Sequence, residues 1–562
     1  MNRHVIQSVP PMSIIAITTA AVFYGLYARA PTNGRIAAGV FTAAFLALCA
    51  SVIALIAAFG VGATAAGQSR RRRLYRKTPA QRCRKKPMLP VIRFALCIAA
   101  GATIGSYSVY TLQRTQRPPQ TLAALPAVRT VIAELTGEPV PAGTDYYRLP
   151  AALIACTTGD NAQFSASGVV QLFVPAALIR GTYSGGITRI GRAAQSEAPA
   201  PLLRSTAAFA EALQNPQECR FYVRGLTLAV QGQFGKTGTV FYARAVQPVF
   251  LGWNTPLSRL RAFFRFAFMR MLFGWGEAGG LLLALLAADK AFLPAECVAA
   301  FRNAGLAHIL ALSGMHLSLI GTAALQGGRI FGHKNRAVWF SLAAVFLFVW
   351  FAGSAPSLNR ALGMVCIAAI GKALGLKLPP LSVLCAMLTV HIALASAEAI
   401  TLGFMLSYGA CAGIIIFGNA CAHLLAGKLP PVAAGSISAS VGAQLFTAPI
   451  VISAIGTIAA AGIIASCLVS PLVSVFLIAG LICIPFALIF PFSSPLLGYG
   501  LNATYWLIFS TADFFARFPA LTPETGVGRF VFSITALFIG ALFTALAYIQ
   551  RQRIHIALLQ LT

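Results

Sequence analysis

The chain is a series of long apolar runs separated by short polar loops, with one long interruption of different character. The first two runs, 12–30 and 36–62, are each long enough for a helix of about 20 residues to cross a bilayer, and together they predict a membrane hairpin. A third span is expected over 91–112. From 113 to about 260 charges become frequent and Pro and Gly break the apolar runs. Stretches at 152–157, 168–174, 220–230 and 238–250, among them FYVRGLTLAV and GTVFYARAVQPVF, mix β-branched and aromatic residues with partial alternation. They predict a small β-barrel, with a Gly/Ser/Ala-rich loop at 183–201 and a short helix at 203–213. Beyond it, RAFFRFAFMRMLFGWG alternates basic and aromatic residues, which suits a helix lying at the membrane interface. About eight or nine further apolar segments follow, including those centred near 315, 345, 366, 408, 445, 470, 505 and 540. Gly314, Gly353, Pro356, Pro449, Pro471 and Pro485 interrupt several of them, and broken helices at membrane depth line cavities.

This pattern predicts a polytopic α-helical membrane protein of about 11–12 spans, some broken, with an inserted extracytoplasmic β-rich domain. Its parts are N-terminal transmembrane helices over 1–112 with a basic loop at 63–90, the β-rich domain over 113–260, and a second transmembrane domain over 261–562. Composition agrees: 58% of residues are hydrophobic and only 10% charged, and the mean hydropathy of +0.77 lies far above that of soluble domains. The first run has little basic charge before it, no persuasive cleavage site and a second span directly after it, so it is read as retained.

Charge sets the orientation and narrows the partners. Arg70, Arg71, Arg72, Arg73, Arg76, Lys77, Arg82, Arg84, Lys85 and Lys86 stand in one loop with no acidic residue between them, which places that loop and the N-terminus in the cytoplasm and 113–260 outside. The net charge of +30, from 43 Lys plus Arg against 13 Asp plus Glu, suits a polyanion or anionic membrane lipid. In the β-rich domain, Phe221, Tyr222 and Arg224, and Phe241, Tyr242 and Arg244, either stack bases beside phosphate contacts or are sheet core beside a solvated face. The 12 Cys include no CxxC pair and no zinc-ligand cluster, so no metal or other cofactor is expected. Cys156 and Cys219, alone in the extracytoplasmic region, are a candidate disulfide.

The densest chemistry lies in 281–321, where Asp289, Lys290, Glu296, Arg302, His308, Ser313 and His316 stand amid apolar runs. Ionisable groups are expensive in hydrocarbon and mark sites there. On one ideal helix His308 and His316 are about 80° apart and share a broad face, with Ser313 near its edge. No HExxH accompanies them, and the serine stands in LSGMH, not in a nucleophile elbow. The residues alone leave open a site, a pair of interhelical hydrogen bonds, or an intramembrane enzyme.

Ordered blocks of this region resemble the competence domain of the ComEC-type DNA uptake channel family. LLLALLAAD and CVAAFRNAGLAHILALSGMHLSLIG resemble its Asp, Arg, His and Ser-Gly-hydrophobic-His run, and SAPSLNRALGM its Ser-Pro-Ser-x-x-Arg-Ala segment. LGFMLSYGACAGI, SVGAQLFTAPIVI and IASCLVSPLVSV resemble three further segments, so that the likeness covers about 262–490. The β-rich domain more weakly resembles the family's OB-like module. Met405 stands where the family tends to have Gln, Ala288 where a Gly commonly precedes Asp, and Cys467 near an expected Asn. Many members continue into a metallo-β-lactamase-like domain, whereas this chain stops at Thr562 and holds no HxHxDH cluster.

The resemblance implies a multi-pass cytoplasmic-membrane channel, not an enzyme, that passes single-stranded DNA into the cytoplasm during natural transformation. A small-solute or lipid transporter is the alternative, and an intramembrane enzyme a more distant one. Lys290, Arg302 and Arg360 are the expected phosphate contacts. Asp289, His308, Ser313, His316, Ser357, Ser407 and Gln444 are expected to line or shape the path. No Walker-type loop is present, so a separate cytoplasmic motor is expected, with a separate DNA receptor and nuclease.

Overall fold

The computed structural model describes residues 11–28, 88–175 and 225–561, with short gaps at 116–119 and 122–124 and at a few further loop positions, Asp289 among them. The expected second span, all but the end of the basic loop, the loop at 183–201, the helix at 203–213, Phe221, Tyr222, Arg224 and Cys219 lie outside the described residues. The chain divides into two compact units. One comprises 1–112, 359–467 and 520–562, and the other 113–358 and 468–519.

Among the described residues nine strands form one sheet: β1 (Gln120–Thr121), β2 (Val128–Leu135), β3 (Val140–Ala142), β4 (Tyr146–Thr158), β5 (Gln163–Ser167), β6 (Val169–Pro175), β7 (Leu226–Phe234), β8 (Val240–Ala243) and β9 (Val249–Trp253). Five of them close a ring. β2 pairs antiparallel with β4 and β7, β4 continues into β6, β7 into β8, and β6 and β8 close it as a parallel pair. The long β4 permits closure, because its second half pairs with β2 and its first half with β6. Side chains alternate with period two, so Val131, Ala133 and Leu135 of β2, Leu149, Ala151 and Leu153 of β4, and Val170, Leu172 and Val174 of β6 fill the interior. Cys156 is buried there too. β2 was not among the expected strands, although VRTVIAEL carries the same alternation.

The helices are α1 (Pro11–Ala28), α2 (Met88–Thr115), α3 (Pro256–Phe273), α4 (Gly276–Ala287), α5 (Ala295–Asn303), α6 (Gly314–Ile330), α7 (Lys334–Ala352), α8 (Pro356–Ala373), α9 (Pro380–Leu394), α10 (Ser396–Ala399), α11 (Leu402–Gly413), α12 (Asn419–Leu425), α13 (Pro431–Ala454), α14 (Gly462–Ile489), α15 (Ser494–Ala516) and α16 (Gly526–Leu561). Among the described residues four helical stretches are long and apolar enough to cross a membrane: Leu402–Leu425, Ala433–Ala454, Gly462–Ile489 and Gly526–Ala547. Four shorter helices are also apolar, at Met12–Gly25, Gly276–Ala287, Arg336–Ala352 and Pro380–Leu394.

The expected breaks fall differently. Pro449 lies inside α13, and Pro471 and Pro485 inside α14, without ending either helix. A proline removes one backbone donor, and neighbouring groups in a membrane bundle re-satisfy the freed carbonyl. Gly314 starts α6, and only Gly353, at φ 101°, and Pro356 separate two helices. An unexpected irregularity is the π-helical stretch Ile414–Gly418 between α11 and α12. There the segment runs almost backbone to backbone against α13: a Cβ on Gly413 would lie 2.2 Å from the Gly442 carbonyl oxygen, and one on Gly442 2.5 Å from the Gly418 nitrogen. Small residues admit this approach.

In the other unit, α3 turns two of its basic residues onto the end of α7. Arg261 Nε donates to the Phe351 carbonyl at 3.2 Å, and the buried Arg265 donates from Nη1 to the Ala352 carbonyl at 3.0 Å. The last carbonyls of a helix have no partner within it, and a guanidinium satisfies them while opposing the negative end of its dipole. Phe263 and Phe264 of α3 stay exposed. Part of the basic–aromatic alternation is thus a helix cap.

Candidate functional site

The polar residues of the LSGMH segment close on one another. Helix α5 ends at Asn303 and is closed off by Gly305, whose φ of 76° favours glycine, with Leu306 N–H donating to Phe301 O at 2.7 Å and Gly305 N–H to Arg302 O at 3.1 Å. Residues 304–313 are therefore not helical, and the expectation that His308 and His316 share one helix face is corrected. His308 is exposed, with Nδ1 3.2 Å from the Gly305 carbonyl. His316 is fully buried in the first turn of α6. Its Nδ1 accepts from the Ser313 N–H at 3.0 Å, and Ser313 Oγ is also 3.0 Å away. Reaching back from the third helical position to the N-cap amide is the role Glu or Gln plays in a capping box. This places the ring proton on Nε2, which is buried with no partner among the described residues. Ser357, at the start of α8, donates to the Leu312 carbonyl and ties the same turn down.

Two further expected residues do not join this cluster, and a third is not described. Lys290 is exposed in the loop after α4, Arg302 is exposed in the last turn of α5, and Asp289 lies outside the described residues. Ala288, where the resemblance places Gly, caps α4 in the left-handed region at φ 59°, the one described non-glycine residue with positive φ. Glycine adopts that conformation without steric cost, which accounts physically for the residue type at this position.

The other unit holds a second cluster, at the start of α8. Arg360 Nε donates to Ser407 Oγ at 2.8 Å, Nη1 lies 3.6 Å from the Met364 sulfur, and the guanidinium carbon stands 5.8 Å from the centre of the Tyr408 ring. Tyr408 OH is 3.1 Å from His391 Nδ1, and His391 Nε2 is 3.0 Å from Glu398 Oε2. Asn359 Nδ2 donates to both oxygens of the same carboxylate, at 3.2 and 3.1 Å. One arrangement of a neutral ring satisfies both contacts of His391: Nε2–H donates to Glu398 and Nδ1 accepts from Tyr408. The backbone around Glu398 is pinned as well. Tyr24 OH donates to the Ala399 carbonyl and Thr401 Oγ1 to the Glu398 carbonyl, both at 2.7 Å.

Arg360 is half-buried and pairs with no carboxylate among the described residues. A guanidinium held by a hydroxyl, a thioether and an aromatic face keeps its full charge for an outside anion. Gln444 is half-buried on α13, and Met405 lies in the apolar cluster with Phe404 and Tyr408. Cys467 Sγ is 4.0 Å from Ser440 Oγ. Of the expected residues, then, Ser313, His316 and Ser357 meet in one unit, and Arg360 and Ser407 in the other. Asn359, His391, Glu398 and Tyr408 were missed. Asn359 and Tyr408 lie inside the quoted blocks SAPSLNRALGM and LGFMLSYGACAGI, and the VHIALASAE stretch carries His and Glu inside an apolar run.

The barrel carries a third polar face. Arg148, Phe173, Tyr242 and Gln233 are successive register partners across β4, β6, β8 and β7. The Tyr242 ring lies 5.4 Å from Phe173 and 6.5 Å from Tyr146, and Tyr146, Arg148, Tyr242 and Gln233 are exposed. Phe241, the neighbour of Tyr242, is fully buried. The sequence singled out the pair, and the alternation of the strand divides it between core and surface.

A family model described as Competence protein matches residues 285–552. No curated protein and no solved structure matches the chain.

Proposed function

With residues 285–552 a Competence protein domain of the ComEC type, we propose that this membrane protein is a channel that passes single-stranded DNA into the cytoplasm during natural transformation. The observation that carries this reading is Arg360, a half-buried cation with neutral side-chain partners and no carboxylate partner among the described residues. A phosphodiester neutralises such a group as it passes, and contacts this few release it again. Lys290 before α5 and Arg302 in its last turn, both exposed, are further phosphate contacts of their unit, where His308 offers a hydrogen bond, and Ser407 and Gln444 offer hydrogen bonds in the unit of Arg360. Ser313, His316 and Ser357 shape the wall by fixing the start of α6. The protein spans the cytoplasmic membrane many times.

The barrel is the extracytoplasmic, OB-like module of this channel. Its five-strand ring with one long strand and a parallel closing pair supports that reading, as does an outer face of rings beside Arg148 on β4 and β6, where such barrels take oligonucleotides. A separate receptor and nuclease present the strand, a cytoplasmic motor draws it in, and anionic lipid meets the basic loop.

The experiment is import of labelled DNA by a strain deleted for this protein and complemented with the full chain. Labelled strand reaches the cytoplasm only in the complemented strain on this account; equal import in the deletion strain leaves the small-solute transporter as the reading.

A further inference from the structure

Glu398 is an unexpected neighbour for a cation that serves an outside anion. In a low-dielectric setting a carboxylate within reach of a guanidinium pairs with it, and a tethered carboxylate competes with a passing phosphate at high effective concentration. Glu398 has the surroundings to do so. Asn359, which binds it, immediately precedes Arg360, and Tyr408, whose ring lies by the Arg360 guanidinium, contacts the His391 that binds it. Yet both of its oxygens accept from Asn359, at 3.2 and 3.1 Å, and one also lies 3.0 Å from His391 Nε2. The backbone on either side is fixed by Thr401 and by Tyr24 of α1.

We infer that His391 and Asn359 are positioning residues that sequester the Glu398 carboxylate and so keep Arg360 free for the phosphates of the strand. This rests on the reading of Arg360 as a phosphate contact. His391 suits the task because it is almost wholly buried, packs edge-on against Phe404 with ring centres 5.0 Å apart, and therefore holds one orientation. Without it the carboxylate loses a donor at 3.0 Å and is released toward Arg360.

The test uses full-length variants in the deletion strain, with membrane abundance measured beside import of labelled DNA. His391→Leu lowers import about tenfold or more, and adding Glu398→Gln to it restores import to within about threefold of the unmodified protein, because Gln carries no charge to capture Arg360. Asn359→Leu, alone and with Glu398→Gln, repeats the comparison and decides it if His391→Leu lowers abundance. In a merely structural network Glu398→Gln relieves the unpaired carboxylate and restores abundance, and import only in proportion to it, so import per molecule at equal abundance is the readout. Double variants that import no better than the singles at equal abundance overturn the inference. Arg360→Gln separates the two levels: unchanged import overturns the phosphate-contact reading and the inference with it, whereas lost import without rescue in the double variants overturns the inference alone.

Discussion

Two groups of polar side chains sit in apolar surroundings, and they are satisfied in different ways. Around His316 the partners are three residues away in sequence or are backbone carbonyls, and the group closes as a helix cap. Around Arg360 the network draws on α8, α9, α10 and α11, the Glu398 carboxylate is already held, and the cation is left with neutral contacts. The first arrangement specifies a turn. The second costs more to assemble, since buried polar networks must be satisfied throughout, and it leaves one charge for use.

The comparison can be broken at its functional end first. Arg360→Ala lowers import of labelled DNA about a hundredfold, the scale of losing a charged hydrogen-bonding partner, with membrane abundance unchanged. The helix packing of the same unit comes next. Gly442→Leu drives a side chain onto the Gly413 and Gly418 backbone, which has no flexible atoms to yield, and costs about 3 kcal/mol or more in unfolding of the purified protein. In the other unit the expected effects are smaller and act on stability. His316→Ala removes the cap on the Ser313 amide and costs about 1–2 kcal/mol, and His316→Gln recovers part of it because Gln serves the same capping position. Any fall in import follows abundance. Ala288→Gly relieves the left-handed backbone at the end of α4 and raises stability by at most about 1 kcal/mol, since the freer unfolded chain offsets part of the gain.

What the sequence made legible follows the same division. Apolar runs located most of the helices, and alternation located most of the barrel strands, because both periods report burial directly. Arg360 and Ser407 stood in blocks with a family resemblance and proved to touch. The His308–His316 pair failed because Gly305 and the extended turn after it are invisible to an assumed helical period. His391 and Glu398 were passed over because each is a single charged or titrating group on its own short helix, with no motif spacing between them. Only the tertiary fold, with the break at Ala395 between α9 and α10, sets one against the other. The prolines of α13 and α14 misled in the opposite sense, since a long apolar helix in a bundle tolerates a missing donor.

The most direct measurement is photo-crosslinking in cells importing labelled DNA, with a photoreactive residue at Met364, whose sulfur touches the Arg360 guanidinium. A second probe at Ile482, which is 65% exposed on α14, serves as the control. The account predicts a covalent adduct of labelled single strand at 364 during import and none at 482. Import that proceeds with no adduct at 364, or with equal adducts at both positions, contradicts a DNA path past Arg360.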